Sequence, residues 1–450
     1  MAGSVNSPAP TAPSGTFPSM SEAWKVIAIL WLVTLFSQLD RQLPALLVRP
    51  LKAEFALSDT QFSLLQGYAF AIFYTLMGLP FGRMVDRTNR RNLIILGIAI
   101  WSTMTVVAGF ATSFNQLLLA RVGVGIGEAV LAPAAYSIIA DYVAPQRRGR
   151  ALGVYYVSLA IGSGASLLLG GLILGALPKE GLEIGGMLLA PWQLTFIAAG
   201  LPGLPLLLLL LAVREPARQE THGTTSASIG DFVRYLGANR STFARLLTYP
   251  ALIAAIGYGT LAWAPAFFER TFNLPVARVG VILGVLVALG GLVGTLASGY
   301  LSDRWLAQGK PAARFRVTLV AWAIIVPGAS LWPLMPSAPL SLALLTLAIT
   351  GFAMAQAAAP PSVQDVFPNA MRGQAIALYL LLGGLVGIGL GPMLVALVTD
   401  HLFGSDAMLG ASLVVVTIPL TLVGLWLSIS GQRPYARTLA ALHDSQSAAS

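Results

Sequence analysis

The sequence contains no cysteine, which excludes a disulfide framework, a thiolate metal site and a cysteine nucleophile. Charge is also scarce: 10% of the 450 residues are charged, 56% are apolar, and the mean hydropathy is +0.76. A water-soluble chain of this length would lack the polar residues needed to cover its surface, so most of the surroundings must be lipid. The only histidines, His222, His401 and His443, fall in loops or in the C-terminal tail. No phosphate-binding loop, zinc motif or nucleophile elbow is present, and nothing calls for a cofactor or a metal. Gly123-x-Gly-x-Gly is no dinucleotide fingerprint, because no strand precedes it.

What the sequence does have is apolar stretches of about 20 residues, the length that crosses a hydrocarbon core of about 30 Å. Twelve spans are predicted, at 24–45, 59–80, 92–112, 115–140, 149–177, 191–213, 246–268, 277–300, 317–334, 338–361, 373–398 and 407–430. The chain divides into a disordered tail (1–21), a six-helix bundle (22–213), a linker loop (214–245), a second six-helix bundle (246–431) and a C-terminal tail (432–450). The tails are Ser- and Ala-rich, and the loop carries a linker-like stretch beginning at His222.

The net charge of +9 does not point to nucleic acid, because the basic residues sit in alternate loops and not on one soluble face. If both termini are cytoplasmic, the inside segments hold twenty of the 27 Lys and Arg, and the outside loops hold Arg49, Lys52, Lys179, Arg270 and Arg278. The positive-inside rule favours that orientation. The Ala, Gly and Leu content fits a bacterial inner membrane.

Two segments repeat between the halves. Gly82-x-x-x-Asp86-Arg87 follows the second span and Gly299-x-x-x-Asp303-Arg304 the eighth. Asp141 to Tyr155 aligns without gaps to Asp365 to Tyr379, so that Asp, Arg-Gly, Ala and Tyr coincide 224 residues apart. Parallel halves of this kind imply a binding site at their interface, near mid-membrane.

With its duplicated halves and twelve spans, the sequence resembles the major facilitator superfamily, whose signature loop Gly82 to Arg91 looks like. Within it, the chain is similar to the Spinster-like group at Leu39-Asp40-Arg41, at Gly123 to Ala129 and at Ile161-Gly162-Ser163-Gly164. The resemblance implies an all-α fold of two pseudo-symmetric six-helix halves. It also implies export of single-chain amphipathic lipids such as sphingosine-1-phosphate or lysophospholipids, with proton drive in the bacterial members. In the signature loop, by analogy with the family, Asp86 meets the N-terminus of a neighbouring helix. With Gly82, Arg87, Arg90, Arg91, Arg148, Asp303 and Arg304 it would latch the cytoplasmic ends when the transporter opens outward. The basic residues of this set also suit a role in topology alone.

Four charges fall inside predicted spans: Asp40, Arg41, Arg121 and Glu128. Each costs several kcal/mol at membrane depth, so such residues persist where they pair, line water or carry function. Counting about 1.5 Å per residue, Asp40 lies about 24 Å from one end of its span and Arg121 about 9 Å from the other, depths that suit an ion pair. Glu128 follows Arg121 by two turns on the same face, about 10 Å deeper. A carboxyl group there can load a proton on one side and release it on the other. Asp40 and Glu128 are therefore the expected proton carriers, with Arg41 or Arg121 as counter-ion and anionic-headgroup contact. The alternative is a static buried network.

On the opposite wall, Tyr258, Trp263, Phe267, Phe268, Met354 and Gln356 suit an acyl chain, although an aromatic stripe in a membrane helix is also the usual mark of packing. The expected partners are an amphipathic lipid, protons and the surrounding membrane lipids, with the chain a monomer. A proton-coupled carrier of small organic anions or drugs would use the same charged residues. A membrane-embedded enzyme would need a catalytic constellation that the sequence lacks.

Overall fold

The computed structural model describes residues 17–219, 227–310 and 312–447. Its twelve long apolar helices are Met20–Leu46, Asp59–Arg87, Arg90–Ala108, Phe114–Tyr142, Gln146–Ala176, Pro191–Leu211, Arg240–Phe272, Val276–Ala307, Ala313–Leu334, Ala338–Asp365, Asn369–Phe403 and Asp406–Leu442, called here the first to twelfth spans. An even number of crossings places both termini on one face, together with the loops that follow even-numbered spans.

Most of the first tail (1–16) and the stretch from His222 to Ser226 lie outside the described residues. Two expectations at the edges need correction. The segment predicted as a linker, 214–245, contains a helix at Ile229–Ala238, capped by Ser228, whose Phe232 is buried and stacks on Phe367 at 5.7 Å. The seventh span then begins at Arg240. The tail predicted from 432 is helical to Ser447: Tyr435 stacks on Phe315 at 4.8 Å, and its hydroxyl donates to the Ser362 carbonyl. In both segments a few aromatic anchors fix a stretch whose composition reads as loop.

Between the fifth and sixth spans, Leu182–Ile184 pairs antiparallel with Met187–Leu189. The two-residue turn is Gly185-Gly186, with φ of 59° and 82°. A hairpin turn of this hand requires positive φ at both positions, which glycine adopts without strain.

The apolar interior forms three clusters. One lies in the first half, around Ile94, Trp101 and Ile139, with Ile388 of the eleventh span packed against it, and one lies wholly in the second, around Phe315, Trp322 and Phe352. The third is shared, joining Leu43, Phe62 and Trp192 to Trp263, Phe267 and Trp332. The halves therefore merge on the face away from the termini.

Glycine makes that merger tight. A Cβ on Gly164 of the fifth span would lie 2.6 Å from the Ala288 nitrogen of the eighth, and one on Gly171 would lie 2.6 Å from the Ala277 carbonyl oxygen. Nearer the termini, Gly153 and Gly299 of the same two spans have open space beside them, and Tyr156, Leu296 and Tyr300 are exposed. The two spans touch along one end and part along the other. On the opposite flank, π-helical segments of the second span (Leu64–Tyr68) and the eleventh (Gly383–Leu390) face each other, and Gly67 admits the Ile388 carbonyl.

Candidate functional site

The late first span and the fourth span bring the four intramembrane charges together. The Arg41 Nε donates to Glu128 Oε2 at 2.6 Å, with the Glu128 side chain fully buried and that of Arg41 18% exposed. The Arg41 guanidinium lies 4.5 Å from the centre of the Tyr74 ring and 5.1 Å from that of Phe70. Cation–π contact holds it over the second span and aims it at the fourth.

Asp40 and Arg121 are both buried but do not form the ion pair expected from their depths. Arg121 Nη1 donates instead to the backbone carbonyl of Asp40 at 3.0 Å, and its guanidinium rests over Phe70 at 5.6 Å. Depth along two helices fixes height and says nothing of azimuth, and adjacent helical residues point about 100° apart. Arg41, not Arg121, is therefore the counter-ion of Glu128. Asp40 Oδ1, Glu128 Oε1 and Arg121 Nε and Nη2 have no hydrogen-bond partner among the described residues. A buried polar atom left in that condition costs about 1–3 kcal/mol.

A small cavity of about 30 Å³ adjoins the pair, lined by Arg41, Gln42, Gln66, Gly67, Phe70, Tyr258, Ala262, Ile388 and Pro392. It thus draws on both halves, and of the predicted opposite wall only Tyr258 lines it. The Trp263 indole donates to the Pro392 carbonyl at 2.9 Å, while Phe267 and Phe268 pack on Trp332 at 4.7 and 5.8 Å. Met354 is buried beside Gly294. Gln356 accepts from the Tyr379 hydroxyl at 3.2 Å. Trp263, Phe267, Phe268 and Met354 are therefore core residues and not an acyl-chain surface, because each already has a full set of apolar neighbours.

The predicted latch residues divide into two groups. Arg90 is buried and bonds the Asp141 carboxylate, Glu215 at 2.7 Å and the Ser137 and Pro216 carbonyls. The Arg91 backbone N–H donates to Glu215 at 2.9 Å, and Arg148 donates to the Ala140 carbonyl. All of these contacts stay within the first half and the loop that follows its sixth span. Asp86, Arg87, Asp303 and Arg304 are exposed and form no ion pair among the described residues, and Gly82 has open space around it. Among the described residues, these contacts supply no latch between the halves on this face.

On the opposite face the halves are locked by a network that sequence reasoning missed. Fully buried Asp59 receives Arg270 through two hydrogen bonds of 2.9 Å and Lys52 at 2.5 Å, and Lys52 also reaches Asp406 at 2.7 Å. Arg49 pairs with Glu269 at 3.2 Å, and Asp400 accepts the Asp59 and Thr60 backbone N–H groups at the start of the second span. Each contact except Lys52 with Asp59 crosses from one half to the other. Asp59, Asp400 and Asp406 come within 4.8 Å of one another, and the two cations offset their mutual repulsion. The signal lay in the charge count, since Arg49, Lys52 and Arg270 are three of the five basic residues on the face that otherwise lacks them.

The Major Facilitator Superfamily profile matches residues 30–392, and the chain belongs to that family of transporters; it is no enzyme. It is 30% identical over 410 residues to an MFS-type efflux pump of Mycolicibacterium smegmatis, an alignment covering 89% of this chain and 91% of the pump. Human protein spinster homolog 1 is 30% identical over 310 residues, 64% of this chain and 56% of that protein, so the match spans about half of the human relative. A crystal structure of a bacterial homolog of the human lysosomal transporter Spinster, inward-facing and unoccupied, is 26% identical. It superposes with a TM-score of 0.78 over 94% of this chain and 99% of the other. The Spinster-like resemblance read from the sequence thus extends to the whole fold.

Proposed function

We propose that this transporter moves amphipathic single-chain lipids of the sphingosine-1-phosphate or lysophospholipid type, driven by protons and working by alternating access. The observation that carries the reading is the Arg41–Glu128 pair beside a cavity that both halves line. Arg41 can hold either the Glu128 carboxylate or an anionic headgroup. A proton on Glu128 releases the guanidinium to the solute, and loss of the proton takes it back. Exchange of this kind links the two ligands, because each changes the affinity for the other by the same factor. Asp40 is the second proton carrier, held next to Arg121, which positions the first span through its backbone.

Alternation needs two latches that exclude each other. In the present state the Asp59 network is closed and the Asp86 loop is free. In the other state the Asp86 and Asp303 loops join the halves and the Asp59 network parts. With both termini cytoplasmic, as the Lys and Arg count favours, the present state opens to the cytoplasm of a bacterial cell, and a single chain is the working unit. A second reading, a carrier of small organic anions or drugs, draws support from the likeness to an efflux pump and from the modest cavity beside Arg41.

Flux of a labelled lysophospholipid into liposomes holding purified protein, with and without a pH gradient, separates the two. Gradient-dependent flux that Glu128→Gln loses supports the lipid reading. Flux of organic anions or drugs, with none of lysophospholipid, replaces it with the second.

A further inference from the structure

A separate cavity of about 500 Å³ lies on the terminus-bearing face of the second half, lined by Trp305 of the eighth span, Lys310, Arg316, Leu319 and Val320 of or just before the ninth, and Gln432 of the twelfth. Its chemistry is graded. Leu319 and Val320 form an apolar floor on a membrane-spanning helix. Lys310 and Arg316 are exposed and belong to no ion pair among the described residues, unlike neighbouring Arg314, which is committed to Asp365. The Lys310 ammonium sits 5.5 Å from the centre of the Trp305 ring, in the position of an interfacial aromatic beside a basic head. Gln432 donates to the Ser428 and Phe315 carbonyls, and its buried Oε1 has no partner among the described residues.

Two cations in no ion pair among the described residues and an apolar floor at the membrane boundary match one class of ligand. The geometry points to a site for an anionic glycerophospholipid of the adjoining leaflet. Its phosphodiester lies between Lys310 and Arg316, and an acyl chain runs down along Leu319 and Val320. Basic pockets between membrane helices hold acidic headgroups in this way. The site is peculiar to the second half, because 224 residues before Arg316, at the matching position of the first half, stands Asn92. It shares no residue with the Arg41 cavity.

Native mass spectrometry of the detergent-solubilised protein tests this, using phosphatidylglycerol, phosphatidylcholine and sn-glycerol 3-phosphate as separate probes. Phosphatidylglycerol should bind selectively, and the double variant K310Q/R316Q should weaken it by about tenfold. The charge-conserving K310R/R316K should keep the selectivity, which separates a lost site from a lost fold. Arg147→Gln, a basic residue on the same face of the other half, should bind as the native chain does. Equal phosphatidylglycerol binding by K310Q/R316Q and the native chain overturns the proposal. So does equal binding of phosphatidylcholine, or binding of glycerol 3-phosphate as tight as that of the lipid.

Discussion

Arg41 and Glu128, 87 residues apart in the chain, meet at 2.6 Å inside the membrane. Removing one partner of such a pair leaves the other charge buried and uncompensated, at a cost of about 3–5 kcal/mol. Arg41→Gln should therefore unfold at lower temperature than the native protein in detergent, and R41Q/E128Q should recover part of the loss. Thermal unfolding followed by circular dichroism reads this directly, and full additivity of the two single changes would mean that the groups do not interact.

The Asp59 network predicts the conformational balance. Asp59→Asn weakens contacts to both Lys52 and Arg270, so the state open on that face should gain at least about tenfold in population, equivalent to about 1.4 kcal/mol. The native chain lacks cysteine, so spin labels on Glu54→Cys and Ala407→Cys report the separation of the halves with no background. An unchanged distance distribution in the variant would remove Asp59 as a latch.

The repeat predicts an asymmetry. Arg90 with Asp141 and Arg314 with Asp365 occupy matching positions 224 residues apart, yet the Arg90 side chain is 1% exposed and that of Arg314 36%. Arg90→Gln should cost about 3–5 kcal/mol and Arg314→Gln about 1 kcal/mol. Unfolding midpoints of the two variants should rank accordingly.

Packing between the fifth and eighth spans gives a fourth test. Gly164→Ala places a methyl 2.6 Å from the Ala288 nitrogen, whereas Gly153→Ala meets open space in the same helix. The first should lower both stability and transport; the second should leave stability within about 0.5 kcal/mol. Equal effects on stability would argue against close contact of the helices at Gly164.

Hydropathy and loop charge made twelve spans and two halves legible, because lipid imposes length and apolarity on every crossing helix. The four intramembrane charges were also visible as a group, since each is expensive where it sits. Their pairing was not: nothing in Asp40 or Arg121 reports the rotation of a helix about its axis. Phe267 and Phe268 looked like a lipid wall for the same reason, their partner Trp332 standing far off in sequence. The Arg90 and Arg314 pairing was within reach, because the alignment that matched Asp141 to Asp365 also matches the two arginines. The Asp59 network left only the basic residues Arg49, Lys52 and Arg270 as a signal, because its pairs form between span ends and a short helix that meet only after both halves have folded.

Proton coupling through Glu128 is tested most directly by uptake of labelled lysophospholipid by proteoliposomes under an imposed pH gradient, comparing the native chain with Glu128→Gln. Uptake should follow the gradient in the native protein and cease to respond to it in the variant. Uptake that depends equally on the gradient in both would contradict proton coupling through Glu128.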